Sequence, residues 1–274
     1  MERLASLADD LPAVCRLGLA TRGKTSLDPE DVLWAVGQGV NYLNWCGHDD
    51  GMSAAIREMG SRRSDVVVAW QLAARTADEA TRSLDAALAT LRTDTIDVVT
   101  FYYVELRAEW SRVREPDGAY DALVRAREQG KVRLLGLTSH QRRMAADIAS
   151  APGRPLDTLM LRYNAAHRGA EQDVFPTTDR LAIPFVAYTC LRWGALMKST
   201  PDDPPGWTPP AAPEWYRYAL ANPSVSVALM APDGREELRA NAALLADWRP
   251  PNADDTAALE AHGARVYSHA GAFP

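Results

Sequence analysis

Ala119-Tyr-Asp-Ala-Leu-Val-Arg-Ala-Arg-Glu-Gln-Gly130-Lys-Val-Arg-Leu-Leu-Gly-Leu-Thr-Ser139 is the stretch on which the fold turns. Residues 119–129 contain no proline or glycine and read as a helix. They stop at Gly130, the residue type that most easily takes the left-handed backbone closing a helix. Residues 132–138 then form a short apolar run suited to a strand covered on both faces. Working outward, strand-like runs recur at 16–21, 40–44, 66–70, 96–101, 158–162, 185–189 and 225–230, so there are eight in all. Helical patterns lie between them at 29–38, 76–91, 142–150 and 235–248. Asp28-Pro29 opens one of these helices with a cap and a proline at its first position. Thr76 and Glu79 open another at capping-box spacing. Eight β/α repeats in about 250 residues predict an α/β protein with one closed (β/α)8 TIM barrel, its site at the C-terminal ends of the strands. An open doubly wound sheet is the alternative, but no glycine-rich dinucleotide fingerprint follows the first strand.

The chain has 274 residues, 47% of them hydrophobic, which suits one barrel domain over 1–274. The net charge is −6 and no basic tract stands out, so no nucleic-acid partner is expected. No apolar run is long enough for a membrane span, and no signal core follows Met1-Glu2-Arg3, which points to the cytoplasm. A small-molecule substrate and a monomer or small homo-oligomer are the expectations. Cys15, Cys46 and Cys190 are far apart and show no CxxC, so neither a disulfide framework nor a zinc site is expected. Only three lysines stand against 27 arginines, which leaves few lysines for catalysis. Six prolines in 198–213 forbid a continuous helix there, so a loop is expected over the catalytic face. Residues 177–184 leave little room for a sixth outer helix. The tail 250–274 has room for a short helix at 254–262.

The strand ends collect the candidate site. Thr21, Arg22 and Lys24 follow the first strand, and Asn44, Trp45, Cys46, His48 and Asp49 the second. Trp70 and Gln71 follow the third, Tyr102, Tyr103 and Glu105 the fourth, and Ser139 and His140 the fifth. Arg162, Asn164, His167 and Arg168 follow the sixth, then come Tyr188, Cys190, Arg192 and Trp193, and finally Arg235.

Gly39-Val-Asn-Tyr-Leu-Asn44, Leu91-Arg-Thr-Asp-Thr-Ile-Asp97 and Gly130 to Ser139 occur in order along the chain. Tyr163-Asn164 with Arg168-Gly-Ala-Glu171, then Ala187-Tyr188 with Gly194, and finally Asn241 complete the series. Together these segments resemble the aldo-keto reductase superfamily over most of the chain. The resemblance implies a barrel that binds NAD(P)(H), usually for carbonyl reduction, with an aspartate, tyrosine, lysine and histidine as catalytic tetrad. Asn44 stands where that aspartate belongs, Gln71 at the lysine and Tyr102 at the histidine, and Asp49 falls nearest the tyrosine's place. The resemblance places Ser139 at the nicotinamide carboxamide and Tyr188 against its ring. Arg235 falls near the adenosine-side phosphate, and Glu237 and Asn241 beside the adenine. His140 and Met160 replace two carboxamide contacts, and Asp233 adds an acid near the phosphate, so NADP(H) binding stays open.

A phenol near pKa 10 is a poor proton donor without a tuning cation, and Gln71 supplies no charge. His48 with Asp49, joined by Tyr102 and His140, offers a replacement acid–base site; the same residues also read as a polar turn capping the next helix. A metal site from His48, Asp49 and His140 lacks any short ligand spacing, so none is expected. Trp45, Trp70, Tyr103 and Trp193 suggest an aromatic substrate cavity, or bulk filling a vacated one. Three functions are open. One is an enzyme acting on a small aromatic or apolar substrate by cyclisation, elimination, isomerisation or hydrolysis, in specialised metabolism. The others are an NAD(P)H-dependent carbonyl oxidoreductase with a relocated proton donor, and a non-catalytic binding or regulatory barrel.

Overall fold

The computed structural model describes residues 1–21 and 27–269, so Arg22 and Lys24 lie outside the described residues. Eight parallel strands close into a barrel: β1 Leu17–Ala20, β2 Tyr42–Trp45, β3 Val67–Leu72, β4 Ile96–Phe101, β5 Val132–Ser139, β6 Thr158–Arg162, β7 Phe185–Tyr188 and β8 Val227–Met230. β8 pairs back onto β1, with Met230 opposite Leu19. Side chains alternate between two cores, because successive residues of a strand point to opposite faces. Tyr42, Ala69, Val98, Leu134, Met160, Val186 and Leu229 fill the barrel interior. Leu43, Trp45, Val68, Trp70, Phe101 and Leu137 face the helices.

An antiparallel hairpin, Leu4–Ala5 with Val14–Cys15, precedes β1, and Leu7, Leu11 and Val14 join the interior core beneath the strands. Two-residue strands carry no periodicity, which is why the sequence did not announce this floor. The predicted caps form: Asp28 precedes the helix Pro29–Gly37, and Thr76 Oγ1 accepts from the Glu79 N–H at 3.4 Å. Four expectations change. The sixth outer helix is present as Ala170–Asp173 followed by Phe175–Leu181. The proline-rich stretch ends earlier, because the helix Ala212–Ala221 takes Pro213 into its first turn. The helix expected at 235–248 ends at Ala242 and continues as a 3-10 turn, Ala243–Ala246. The tail helix is longer than expected, Ala253–Ser268, capped by Asn252 accepting from the Asp255 N–H at 2.8 Å. Among the described residues no helix is long and apolar enough to cross a membrane.

Candidate functional site

At the C-terminal end of the barrel a cavity of about 450 Å³ is lined by Asn44, Cys46, Gln71, Tyr103, Met160, Tyr188, Trp193, Asp233 and Glu237, among others. Asn44 follows Tyr42 by two residues and therefore points inward. It is buried, and its Oδ1 has no hydrogen-bond partner among the described residues. Gln71, two residues after Ala69, also points inward, and its Nε2 reaches only the Met160 sulfur, at 3.5 Å. A thioether is a weak acceptor. The mouth thus presents one open amide acceptor and one weakly engaged amide donor.

Tyr103 brings the phenol. Its backbone is left-handed, with φ of 40°, which swings it inward from the end of β4. Thr138 Oγ1 accepts its N–H at 2.7 Å, and Arg75 donates to the carbonyls of Tyr102 and Tyr103 at 2.7 and 3.3 Å. The ring stacks on His140 at 4.6 Å and meets Tyr188 edge-on at 6.3 Å. Burial, then the neighbouring Tyr102, raise the Tyr103 pKa above the usual phenol value. His140 is oriented by Glu105, whose Oε1 accepts its backbone N–H at 2.8 Å and faces its Nδ1 at 3.1 Å. The loop after β7 closes the other side with Thr189, Arg192 and Trp193 all at positive φ. Such strain gathers where surrounding contacts over-determine the backbone. Here Asn164 Nδ2 and the Arg192 N–H both donate to the Thr189 carbonyl at 2.8 Å.

Several expected site residues lie elsewhere. His48 is exposed on a turn outside the cavity lining, and Asp49 pairs with Arg57 at 2.8 Å and Ser53 at 3.0 Å rather than with the imidazole. Asp50 caps the helix Gly51–Glu58, so this segment is the polar capping turn. Trp45 and Trp70 face outward, because each follows an inward residue. Trp45 Nε1 donates to the His48 carbonyl at 2.7 Å, and Trp70 packs under Gly47, where an added Cβ would lie 2.9 Å from its Nε1. Their bulk holds the turn and does not line the cavity. Tyr102 sits on the rim, 38% exposed, with its ring 4.3 Å from that of Tyr103. Cys46 contacts the Thr21 carbonyl, and burial raises its thiol pKa, which keeps it from acting as a ready thiolate. Among the described residues no three His, Cys, Asp or Glu side chains gather as metal ligands.

The cofactor candidates divide. Tyr188 and Glu237 line the cavity. Ser139 is fully buried and its Oγ accepts the Gln141 N–H at 2.9 Å. Arg235 is paired with Asp31, and Glu237 accepts the Asp233 N–H at 2.8 Å. Asn241 is buried, and neither of its amide atoms has a partner among the described residues.

The model of the Aldo/keto reductase family matches residues 52–214. The chain belongs to the aldo/keto reductase family. Among solved structures it is similar to aldo-keto reductase AKR11C1 from Bacillus halodurans. The holo form matches with a TM-score of 0.75 at 15% identity over 96% of both chains, and the apo form with a TM-score of 0.72 at the same identity and coverage. At that identity the likeness carries the fold. No curated protein matches the chain.

Proposed function

We propose that this aldo/keto reductase barrel is an enzyme acting on a small, neutral, aromatic or apolar organic molecule by acid–base chemistry without redox change. Isomerisation, cyclisation, elimination and hydrolysis are the reactions within its reach. The observation that carries this reading is the buried, unpartnered Asn44 Oδ1 at the mouth, next in the site to a Gln71 amide engaged only by a thioether. An orphaned buried polar atom is costly unless a ligand satisfies it. Asn44 accepts a substrate O–H or N–H, Gln71 donates to a substrate oxygen, and Tyr103 supplies the proton. Its raised pKa keeps that proton in place through neutral pH. His140, fixed by Glu105, holds the Tyr103 ring by stacking.

NADP(H), the cofactor the family resemblance implies, fits the described lining poorly. That lining holds no arginine, lysine or histidine but does hold Asp233 and Glu237, and a dinucleotide phosphate needs the opposite charge. Arg235, at the expected phosphate position, is paired with Asp31. A second reading, an NAD(P)H-dependent oxidoreductase with Tyr103 as proton donor, is favoured by the Tyr188 ring lining the cavity wall. Titration of NADPH and NADH, read by nicotinamide fluorescence, separates the two. The first reading expects no saturable binding of either, and thermal stabilisation by neutral hydroxyaryl carbonyl compounds, whose O–H meets Asn44 Oδ1, that Asn44→Leu abolishes. Tight NADPH binding with hydride transfer to a carbonyl overturns it in favour of the second.

A further inference from the structure

The wall that the loop after β7 gives the mouth is built on three consecutive left-handed residues. Arg192, Trp193 and Gly194 have φ of 48°, 51° and 81°, and only the glycine takes that region without a steric cost. The turn closes on itself, with the Gly194 N–H donating to the Leu191 carbonyl and the Ala195 N–H to the Arg192 carbonyl, each at 3.0 Å. What it achieves is the placement of one side chain. Trp193 lines the mouth while remaining 57% exposed, and Met197 lines it beside a second exposed stretch of apolar surface. A wide aromatic face kept against water at a cavity wall is area that a bound ring would cover.

The turn is braced from outside. Arg192 is buried, and its Nε donates to His167 Nε2 at 3.1 Å, so that nitrogen is the acceptor and the ring proton sits on Nδ1. Burial, then the charges of Arg162, Arg192 and Arg142, push the His167 pKa down to about 4, so the ring is neutral and its lone pair can accept at neutral pH. His167 is itself fixed in a tight turn after β6, its N–H donating to the Asn164 carbonyl at 2.9 Å. The same turn grips the start of the β7 loop, where Asn164 Nδ2 donates to the Thr189 carbonyl at 2.8 Å. The far end of the loop meets the C-terminal helix, where His262 Nε2 faces the Leu196 carbonyl at 3.1 Å. Behind the loop His167 also stands in the wall of a neighbouring cleft of about 750 Å³, with Arg142, Arg162 and Arg168. Costly backbone persists where contacts over-determine it, and it gathers at ligand clamps.

We propose that His167 is a positioning residue: through Arg192 it fixes the left-handed turn that sets Trp193 at the mouth, where the indole takes the aromatic face of the substrate and selects flat rings over saturated ones. This rests on the aromatic substrate proposed above. The full chain carrying 5-fluorotryptophan gives one fluorine resonance for each of its eight tryptophans, and that of Trp193 is the one lost in Trp193→Leu. His167→Leu keeps the bulk and removes the acceptor, and is expected to shift or broaden the Trp193 resonance. His167→Gln restores an acceptor and is expected to return it to the wild-type position. Binding is read with 4-hydroxyacetophenone and its ring-saturated counterpart, 1-(4-hydroxycyclohexyl)ethanone. Trp193→Leu and His167→Leu are expected to narrow the preference for the aromatic compound by about threefold to tenfold, the scale of one aromatic contact, and His167→Gln to keep it. Melting temperatures show that each variant is folded. The proposal is overturned if His167→Leu leaves the Trp193 resonance and the preference as in the wild type, if Trp193→Leu keeps the full preference, or if His167→Gln behaves as His167→Leu does. If neither compound binds the wild type, the reading of the mouth fails, and this role for Trp193 falls with it even where His167 holds the resonance.

Discussion

Tyr102 and Tyr103 are neighbours in sequence, yet only one of them enters the mouth. Strand counting assigns the site position to Tyr102, the first residue after β4. The left-handed turn at Tyr103 reverses that assignment. A non-glycine residue there costs on the order of 1–2 kcal/mol, which the Thr138 and Arg75 hydrogen bonds offset. Nothing in the residue types at 102 and 103 announces a positive φ, because the cause is Arg75, almost thirty residues away. Tyr103→Phe keeps the stack on His140 and removes only the hydroxyl. On a turned-over substrate it is expected to lower kcat by about 10²–10⁴-fold with an unchanged melting temperature. The sign of the pH effect follows from the raised pKa. The donor is loaded at neutral pH and is lost only as pH rises past its alkaline value, so the wild type shows an alkaline limb that Tyr103→Phe lacks. Tyr102→Phe and His48→Asn are expected to behave as wild type. A normal rate and an intact alkaline limb in Tyr103→Phe would remove it from the chemistry.

Elements with their own punctuation were legible: the β5 run after Gly130, the Thr76 cap and the Asp28-Pro29 start each carry a local cause. Elements held by distant partners were not. The C-terminal helix extends well past residue 262 because its second half docks on the proline-rich loop, a contact that no periodicity records. Asp203 of that loop accepts from the Thr200 N–H at 2.6 Å and Arg265 Nε at 2.7 Å, and faces His262 Nδ1 at 2.9 Å. His262 is fully buried, with its Nε2 facing the Leu196 carbonyl at 3.1 Å, and Trp207 covers its ring at 4.5 Å. Burial works against the Asp203 charge, but the Thr200, His262 and Arg265 donors outweigh it and hold the carboxyl well below the usual carboxylate range. A depressed pKa contributes stability that is fully present above the unfolded value, about 3.8, and is lost as pH falls below it. Asp203→Asn is therefore expected to loosen Ala253–Ser268 at neutral pH and to lose the part of the acid sensitivity that this carboxylate supplies. Hydrogen exchange of the helix from about pH 7 to about pH 3 reads both effects. Equal protection in variant and wild type at neutral pH would show that the apolar contacts alone dock the helix.

Across the whole molecule, the N-terminal hairpin floors the barrel at its lower end, and charge is sorted between two cavities at the upper end. The mouth is lined by acids and amides, and the neighbouring cleft by arginines. Eight apolar runs made the barrel readable because each strand is buried on both faces. The sorting of charge was not readable, since it depends on which strand ends face which cavity. The lower end shows the same limit in one residue. The run at 16–21 reads as strand from its first position, but β1 begins at Leu17, and the Arg16 side chain is engaged across the lower end of the barrel. Its guanidinium donates to the carbonyls of Val225 at 2.7 Å, Leu220 at 2.9 Å and Asn222 at 3.2 Å, and to that of Glu2 at 3.1 Å. One buried cation thus joins the N-terminal hairpin to the approach to β8, where the barrel must close. Arg16→Met fills similar space but leaves those carbonyls unsatisfied, at about 1–3 kcal/mol for each that finds no other donor. The expected loss is about 3 kcal/mol or more, read as a lower urea midpoint at unchanged m-value. Ligand binding at the mouth is expected to persist below the unfolding transition, because the mouth lies at the opposite end of the strands. A midpoint within about 0.5 kcal/mol of wild type would mean that water replaces the guanidinium and that closure rests on the β8–β1 ladder alone.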